Sequence, residues 1–341
     1  MSNRASILAR LEQLVSIIGD LTEQFIFVGG SVVPLLVTDK AAPSARVTED
    51  IDVIVNVTSR SKLYDIEERL RLLGFGPDLT DVNPIICRHV KDSLILDVMP
   101  TDENLFGFTN QWYSTAADAP LLITLPSSAV VKVINAPVFM CTKYDAFDSR
   151  GKEDEKDIED IITLVSARQE LIDELILAPA EVRQFVMQKT KDYIASSNYD
   201  RLEWAVEDGR VALVKERFSR IAKLDLLFVL AQEPDLNSFG FGLTRSAYPS
   251  EAEYQSRLAQ SRDEMIREYD RFKSVCDWLQ QNVRSRRTIN TQMSSYGWKH
   301  HVERKIGTYV SNGIFIAAAI NSGFKYKKHP PNADFNLCLP D

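Results

Sequence analysis

Residues 47–56, VTEDIDVIVN, put aspartates inside what otherwise reads as an apolar strand. Alternation sends Ile51, Val53 and Val55 to one face and Asp50, Asp52 and Ile54 to the other. Carboxylates on a half-buried strand are costly unless paired, so these two must hold something. Residues 94–100, LILDVMP, repeat the oddity: Leu94, Leu96 and Val98 share a face, and Asp97 stands opposite with Ile95 and Met99. If the two strands lie side by side, Asp50, Asp52 and Asp97 converge. Three carboxylates so close do not all ionise without a cation among them. An oxygen-only donor set suits Mg2+ or Mn2+. Two such ions about 3.5–4 Å apart activate a hydroxyl and hold a triphosphate for in-line displacement.

A second motif supplies the other half of that chemistry. QFIFVGGSVVPLLV reads as a strand, a tight turn at Gly29 and Gly30, and a short helix starting near Ser31. Two glycines let the backbone approach a phosphate, exposed N–H groups at the helix start favour an anion, and Ser31 adds a hydroxyl donor. Alone, such a turn marks only a change of direction. Followed about twenty residues later by Asp-x-Asp on a strand, it gains specificity. Further on, KYDAFDSRGKEDEKDIEDI carries Lys143 and Arg150, seven apart and so on one helix face. A triphosphate holds more charge than two metal ions neutralise, and a Lys or Arg nearby would clamp it. The competing reading of this segment, Asp157 included, is a solvated helix face of alternating charge.

Gly29, Gly30, Ser31, Asp50, Asp52 and Asp97 together resemble the pattern of the DNA-polymerase-β-like nucleotidyltransferase superfamily. That pattern is a Gly-Gly/Ser turn opening a helix, Asp-x-Asp on the next strand and a third Asp on a later one. Within the superfamily, residues 5–195 are most similar to the AbiEii/MenT-type nucleotidyltransferases, the toxin halves of type IV toxin–antitoxin pairs. In that group a Lys, an Arg and helix-spaced Asp residues follow the core. Lys143, Arg150, Lys156, Asp157 and Asp160 match here, with Lys152 able to stand in for either cation.

The resemblance implies an α+β fold, a nucleotidyltransferase mixed β-sheet core with flanking helices followed by a mainly helical C-terminal region. It implies Asp50, Asp52 and Asp97 as catalytic and metal-binding residues, and Gly29, Gly30, Ser31, Lys143, Arg150 and Asp157 as nucleotide-binding ones. An NTP would be the substrate, Mg2+ or Mn2+ the cofactor, RNA such as a tRNA end the acceptor, and a cognate antitoxin protein a partner. Two other readings keep the motif. One is an aminoglycoside-type transferase acting on a small molecule. The other is a nucleotide- or nucleic-acid-binding regulator with an inactive core, against which the complete aspartate set argues.

The elements that must position these groups follow from periodicity. Ile7, Leu8, Leu11, Leu14, Val15 and Ile18 define a first helix. SKLYDIEERLRLLGFG reads as a helix closed by Gly74, IICRHV and SLILDVMP as paired strands, and LLITL and AVVKVI as two more. After Pro137 the pattern turns helical, with VFMCTKYDAFDSR, EKDIEDIITLVSARQELIDEL and PAEVRQFVMQKTKDYIASS as single helices. AQEPDLNSFGFGLTRSAYPSE reads as a linker, because Gly, Pro, Ser and Asn interrupt all periodicity. One long charged helix is expected from about 251 to 281, then an apolar segment, NGIFIAAAINSGF. The expected domains are a catalytic core over 1–136, a helical domain completing the nucleotide site over 137–232, and a mainly helical basic domain over 245–341.

Composition bounds the rest. With 341 residues, 45% hydrophobic and 26% charged, the chain is long enough for two globular domains. No apolar run approaches the roughly 20 residues that span a bilayer, and the charged N-terminus does not read as a signal peptide. Cys87, Cys141, Cys276 and Cys338 form no C-x-x-C pair, so neither a zinc site nor a disulfide framework is expected, and the cytoplasm is the expected compartment. The net charge of −8 argues against a general nucleic-acid binder. Yet residues 284–328 hold nine Lys/Arg against one acid, Glu303, interleaved with Tyr296, Trp298, Tyr309, Phe315, Phe324 and Tyr326. That mixture fits phosphate contacts and base stacking on an RNA acceptor; the rival is that the apolar 313–320 run is a core helix. His300 and Glu303 lack a third metal ligand, His89 is read as a packing residue, and neither a G-x-S-x-G nor a P-loop is present.

Overall fold

A computed structural model describes residues 3–39, 41, 46–78, 85–151 and 155–340. The chain divides into two units, Met1–Ala222 and Lys223–Asp341. The first combines a mixed sheet with helices. Its strands are β1 (Phe25–Val28), β2 (Asp50–Val55), β3 (Gly76–Pro77), β4 (Arg88–Lys91), β5 (Leu94–Pro100), β6 (Leu121–Thr124) and β7 (Val130–Val133). They lie in the order β3-β4-β5-β2-β1-β7-β6. Its helices are α1 (Asn3–Ile18), α2 (Val33–Leu36), α3 (Arg60–Leu72), α4 (Glu103–Phe106), α5 (Tyr113–Asp118), α6 (Ala136–Ser149), α7 (Lys156–Ala167), α8 (Leu171–Leu177), α9 (Ala180–Ile194), α10 (Leu202–Ala205) and α11 (Val211–Ile221).

Strand register places the candidate groups. All four residues of β1 are buried, as a central strand covered on both faces requires. β2 runs antiparallel to β1 and parallel to β5, with Asp52 opposite Val28 on one side and Asp97 on the other. Residues paired across strands share a face, so Asp52 and Asp97 emerge together, and Asp50 two residues earlier joins them. β4 and β5 form a hairpin whose register sets Arg88 opposite Asp97. On the helical side, α6 is capped by Asn135, whose side chain accepts from the Val138 N–H at 3.0 Å, and Pro137 occupies its first turn. Every residue from Ala136 to Tyr144 is buried, Lys143 among them.

The expected single helix over 155–175 is two. α7 ends at Ala167 and α8 begins at Leu171. Between them the Arg168 guanidinium donates to Glu174 and to the Leu36 carbonyl, each at 2.6 Å, and the Gln169 N–H donates to Thr38 Oγ1 at 3.0 Å. These long-range bonds replace helix continuation where no Gly or Pro signals a stop.

The second unit contains α12 (Leu224–Gln232), α13 (Glu251–Arg267), α14 (Tyr269–Asn282), α15 (Ser295–Ile306) and α16 (Asn312–Asn321). Three two-stranded sheets accompany them: β8 (Leu236–Asn237) with β9 (Gly240–Phe241), β10 (Arg284–Ser285) with β13 (Leu337–Cys338), and β11 (Tyr326–His329) with β12 (Asn332–Phe335). α16 packs against α12, α14 and α15, and its residues Asn312–Ala319 are buried.

Three readings change in this unit. The stretch taken as a linker is a hairpin in the core: Leu236 and Phe241 are buried, and a Cβ at Gly313 would stand 1.9 Å from the Asn237 carbonyl oxygen. The long charged helix breaks at Glu268, where Arg262 has already tied α13 to the carbonyls of Leu230, Glu233, Pro234 and Leu236. α12, expected with the preceding helices, gives Leu226, Val229 and Leu230 to this core. Of the interleaved aromatics, Trp298 and Phe315 are core, Phe324 and Tyr326 pack against it, and Tyr296 and Tyr309 are exposed. No helix among the described residues is long and apolar enough to cross a membrane.

Candidate active site

One carboxylate oxygen from each of Asp50, Asp52 and Asp97 lies within 4.8 Å of the other two. Three contacts fix the cluster from outside. Thr48 Oγ1 donates to Asp50 at 2.7 Å. Arg88 donates through Nε and Nη2 to the two oxygens of Asp97, at 2.9 and 2.7 Å, and its Nη2 lies 3.5 Å from Asp50. Gly29, at φ 68, leaves room for Asp52: a Cβ there would stand 1.9 Å from Asp52 Oδ2. The first glycine of the turn is thus required twice, by its backbone angle and by the neighbouring carboxylate. Burial and then the Asp50 charge push the Asp52 carboxyl up to about 7.

Asp50 and Asp52 form the floor of a cleft of about 330 Å³, whose lining includes Gly29, Gly30, Tyr113, Lys143, Arg150 and Asp157; Asp97, buried and paired with Arg88, completes the trio but does not line it. Opposite the floor runs a chain of ion pairs. Arg150 pairs with Asp157; Lys143 Nζ meets Asp157 at 3.0 Å and Asp160 at 2.7 Å; Arg46 Nε meets Asp160 at 3.0 Å. Among the described residues three cations share two carboxylates in this chain of pairs, so it is net positive. Burial alone would lower the Lys143 ammonium's pKa, but Asp160 and Asp157 hold it above its ordinary value. The solvated-face reading therefore fails, because Lys143 and Asp157 are 7% and 1% exposed.

Most of the expected residues meet in this cleft, and Lys156 lines it too. Ser31 is not among the lining residues: it is buried, and its hydroxyl donates to the Val28 carbonyl at 3.4 Å. Lys152 lies outside the described residues. Arg46, Arg88 and Tyr113 were not singled out from sequence. Arg88 was within reach, since counting back from the hairpin turn sets it opposite Asp97. Arg46 reaches a partner 114 residues away and leaves no local signal. Elsewhere, His300 Nδ1 and Glu303 Oε2 lie 2.6 Å apart and bond each other. Among the described residues the aspartate trio is the one cluster of three or more metal-ligand types. All four cysteines are free. The trio fits a hard divalent cation: its donors are all oxygen, and among the described residues Asp52 has no guanidinium partner of the kind Asp97 has. No protein-family model matches the chain, and no curated protein does.

Two outcomes follow for stability. Between an unfolded value near 3.8 and a folded value of about 7, the native protein holds a proton on Asp52 that the unfolded chain has lost. Stability then falls as pH rises through this window, and the full penalty remains above it. Asp52→Asn in EDTA should raise stability at pH 8 by about 2 kcal/mol, allowing for partial exposure, with the gap closing towards pH 4 in urea titrations. Lys143→Ala should cost about 3–5 kcal/mol, because Asp157 and Asp160 lose their shared buried partner. A solvated lysine would leave the melting curve almost unmoved.

Proposed function

We propose that the chain is a metal-dependent nucleotidyltransferase that moves a nucleotidyl group from an NTP to a hydroxyl on RNA, such as a tRNA end. The observation that carries this reading is the meeting of Asp50, Asp52, a Gly-Gly turn and a net positive wall in one cleft, with an Asp97 oxygen within 4.8 Å of both aspartates. A carboxylate floor by itself repels a triphosphate. Mg2+ or Mn2+, when bound, supplies the Lewis-acid neutralisation that makes floor and phosphates complementary. Asp50 and Asp52 hold the cation. Asp97 takes the acceptor's proton as the bond from the acceptor oxygen to the α-phosphorus forms and the bond to pyrophosphate breaks. The Gly29–Gly30 turn opens the backbone to the phosphates.

The cations divide the remaining work. Arg150, its side chain 45% exposed, meets the leaving pyrophosphate. Lys143, 8% exposed at its side chain, contributes through its field and through the positions of Asp157 and Asp160. In the second unit, Lys299 is buried on Glu303 and the Val310 carbonyl, and Lys328 pairs with Glu233 and Asp235. Neither serves RNA. Arg286 and Lys325 are exposed, and Asn336 joins them by hydrogen bonds to the backbone of each. With Arg287 and Lys327 they offer phosphate contacts to the acceptor.

Incubation with each α-labelled NTP, Mg2+ and total RNA tests the assignment. The wild type should transfer label to RNA. Asp52→Asn and Asp97→Asn should lose at least about 100-fold in rate with unchanged circular dichroism. Transfer by Asp52→Asn close to the wild-type rate would contradict the assignment.

A further inference from the structure

Arg46 ends the chain of ion pairs on the cleft wall and lies against the Gly-Gly turn. A Cβ at Gly30 would stand 2.7 Å from Arg46 Nη2 and 3.3 Å from Asp160 Oδ2. Gly29 has a positive φ, whereas Gly30 does not, so its backbone angle is open to other residues. What calls for glycine at position 30 is therefore the space that the guanidinium fills. Asp160 does not use that guanidinium up. Lys143 Nζ reaches Asp160 at 2.7 Å, closer than Arg46 does at 3.0 and 3.3 Å. Arg46 Nη1 donates to the Val47 carbonyl at 3.4 Å. Among the described residues these bonds take only part of the guanidinium's N–H set. The Arg46 side chain is 26% exposed against 8% for Lys143, so the surplus positive charge of the wall reaches solvent at its two ends, Arg46 and Arg150. Burial alone would lower the Arg46 pKa, but Asp160, and beyond it Asp157 and Asp50, hold it above its ordinary value. The guanidinium thus feels the carboxylates of both wall and floor.

We propose that Arg46 is a phosphate-binding residue, taking one end of the NTP's pyrophosphate portion while Arg150 takes the other. The inference rests on the transferase reading and adds a contact to it. Without a side chain at Gly30, the turn's backbone and the guanidinium lie side by side, and a phosphate on the turn meets a planar fork of donors. Lys143, bonded to two carboxylates and buried, offers no such fork. Recruiting Arg46 is also cheap. Asp160 keeps Lys143 when the guanidinium turns part of its N–H set to a phosphate, so no buried carboxylate is orphaned.

Isothermal titration calorimetry on the full chain in Mg2+ buffer, with inorganic pyrophosphate and α,β-methylene-ATP as separate probes, tests this role. The wild type should bind both. Arg46→Ala should weaken each about tenfold or more, the scale of one lost charge-assisted contact. Arg46→Lys keeps a cation beside Asp160 without the fork, and its affinity should fall between the two. Should Arg46→Ala fail to fold, the lysine variant alone still reads the loss. Mn2+ binding in the absence of nucleotide should not weaken in either variant, since Arg46 is no part of the aspartate floor. Pyrophosphate bound by the variants as tightly as by the wild type would overturn the proposal. So would a loss of Mn2+ affinity as steep as the loss of pyrophosphate, which would make Arg46 a brace of the whole site. A wild type that binds neither probe would strike at the transferase reading itself, and the role of Arg46 would fall with it.

Discussion

Like-charge repulsion among Asp50, Asp52 and Asp97 is the constraint on which the rest of the first unit depends. At separations up to 4.8 Å, each ionised pair opposes the fold by roughly 3–4 kcal/mol in an effective dielectric near 20. Parallel pairing of β2 with β5 enforces this proximity, because the register sets Asp52 directly opposite Asp97. Arg88 relieves Asp97 and, at longer range, Asp50; Asp52 has no such ion pair among the described residues, and burial first, then the Asp50 charge, makes it hold its proton up to about pH 7. Even the Gly-Gly turn bears the mark of this constraint, since any side chain at Gly29 would strike the Asp52 carboxylate.

The opposite wall obeys a different balance. Asp157 and Asp160 are almost fully buried and would be intolerable alone, and Arg150, Lys143 and Arg46 together over-compensate them. An excess of negative charge on the floor thus faces an excess of positive charge on the wall. A bound triphosphate with its cations would sit between the two and reduce the imbalance on both sides. The same logic separates the cations of the second unit. Lys299 and Lys328 are consumed by Glu303, Glu233 and Asp235, whereas Arg286 and Lys325 are exposed and Asn336 bonds their backbones.

Strand alternation and glycine chemistry made the floor legible in the sequence: two period-2 patterns, each broken by an aspartate, sufficed to bring Asp50, Asp52 and Asp97 to one face. Helical spacing likewise put Lys143 and Arg150 together. What stayed hidden were interactions without a local signature. The break after Ala167 depends on Arg168 reaching Leu36 and Glu174, and the hairpin at Leu236–Phe241 depends on burial against Gly313, so a Gly- and Ser-rich stretch that looked like a linker became core. Nor did the sequence show that the buried Ser31 donates its hydroxyl to the Val28 carbonyl.

Direct binding of Mn2+ to the isolated protein tests the central claim, that the aspartate floor is built for a divalent cation. Electron paramagnetic resonance at pH 8, above the Asp52 titration, reads free against bound ion without need of NTP or acceptor. The wild type should bind Mn2+ and lose it to excess Mg2+, and Asp50→Asn, Asp52→Asn and Asp97→Asn should each weaken binding by about tenfold or more. A folded wild-type protein that leaves Mn2+ free, or binds it equally well without Asp52, would contradict the claim.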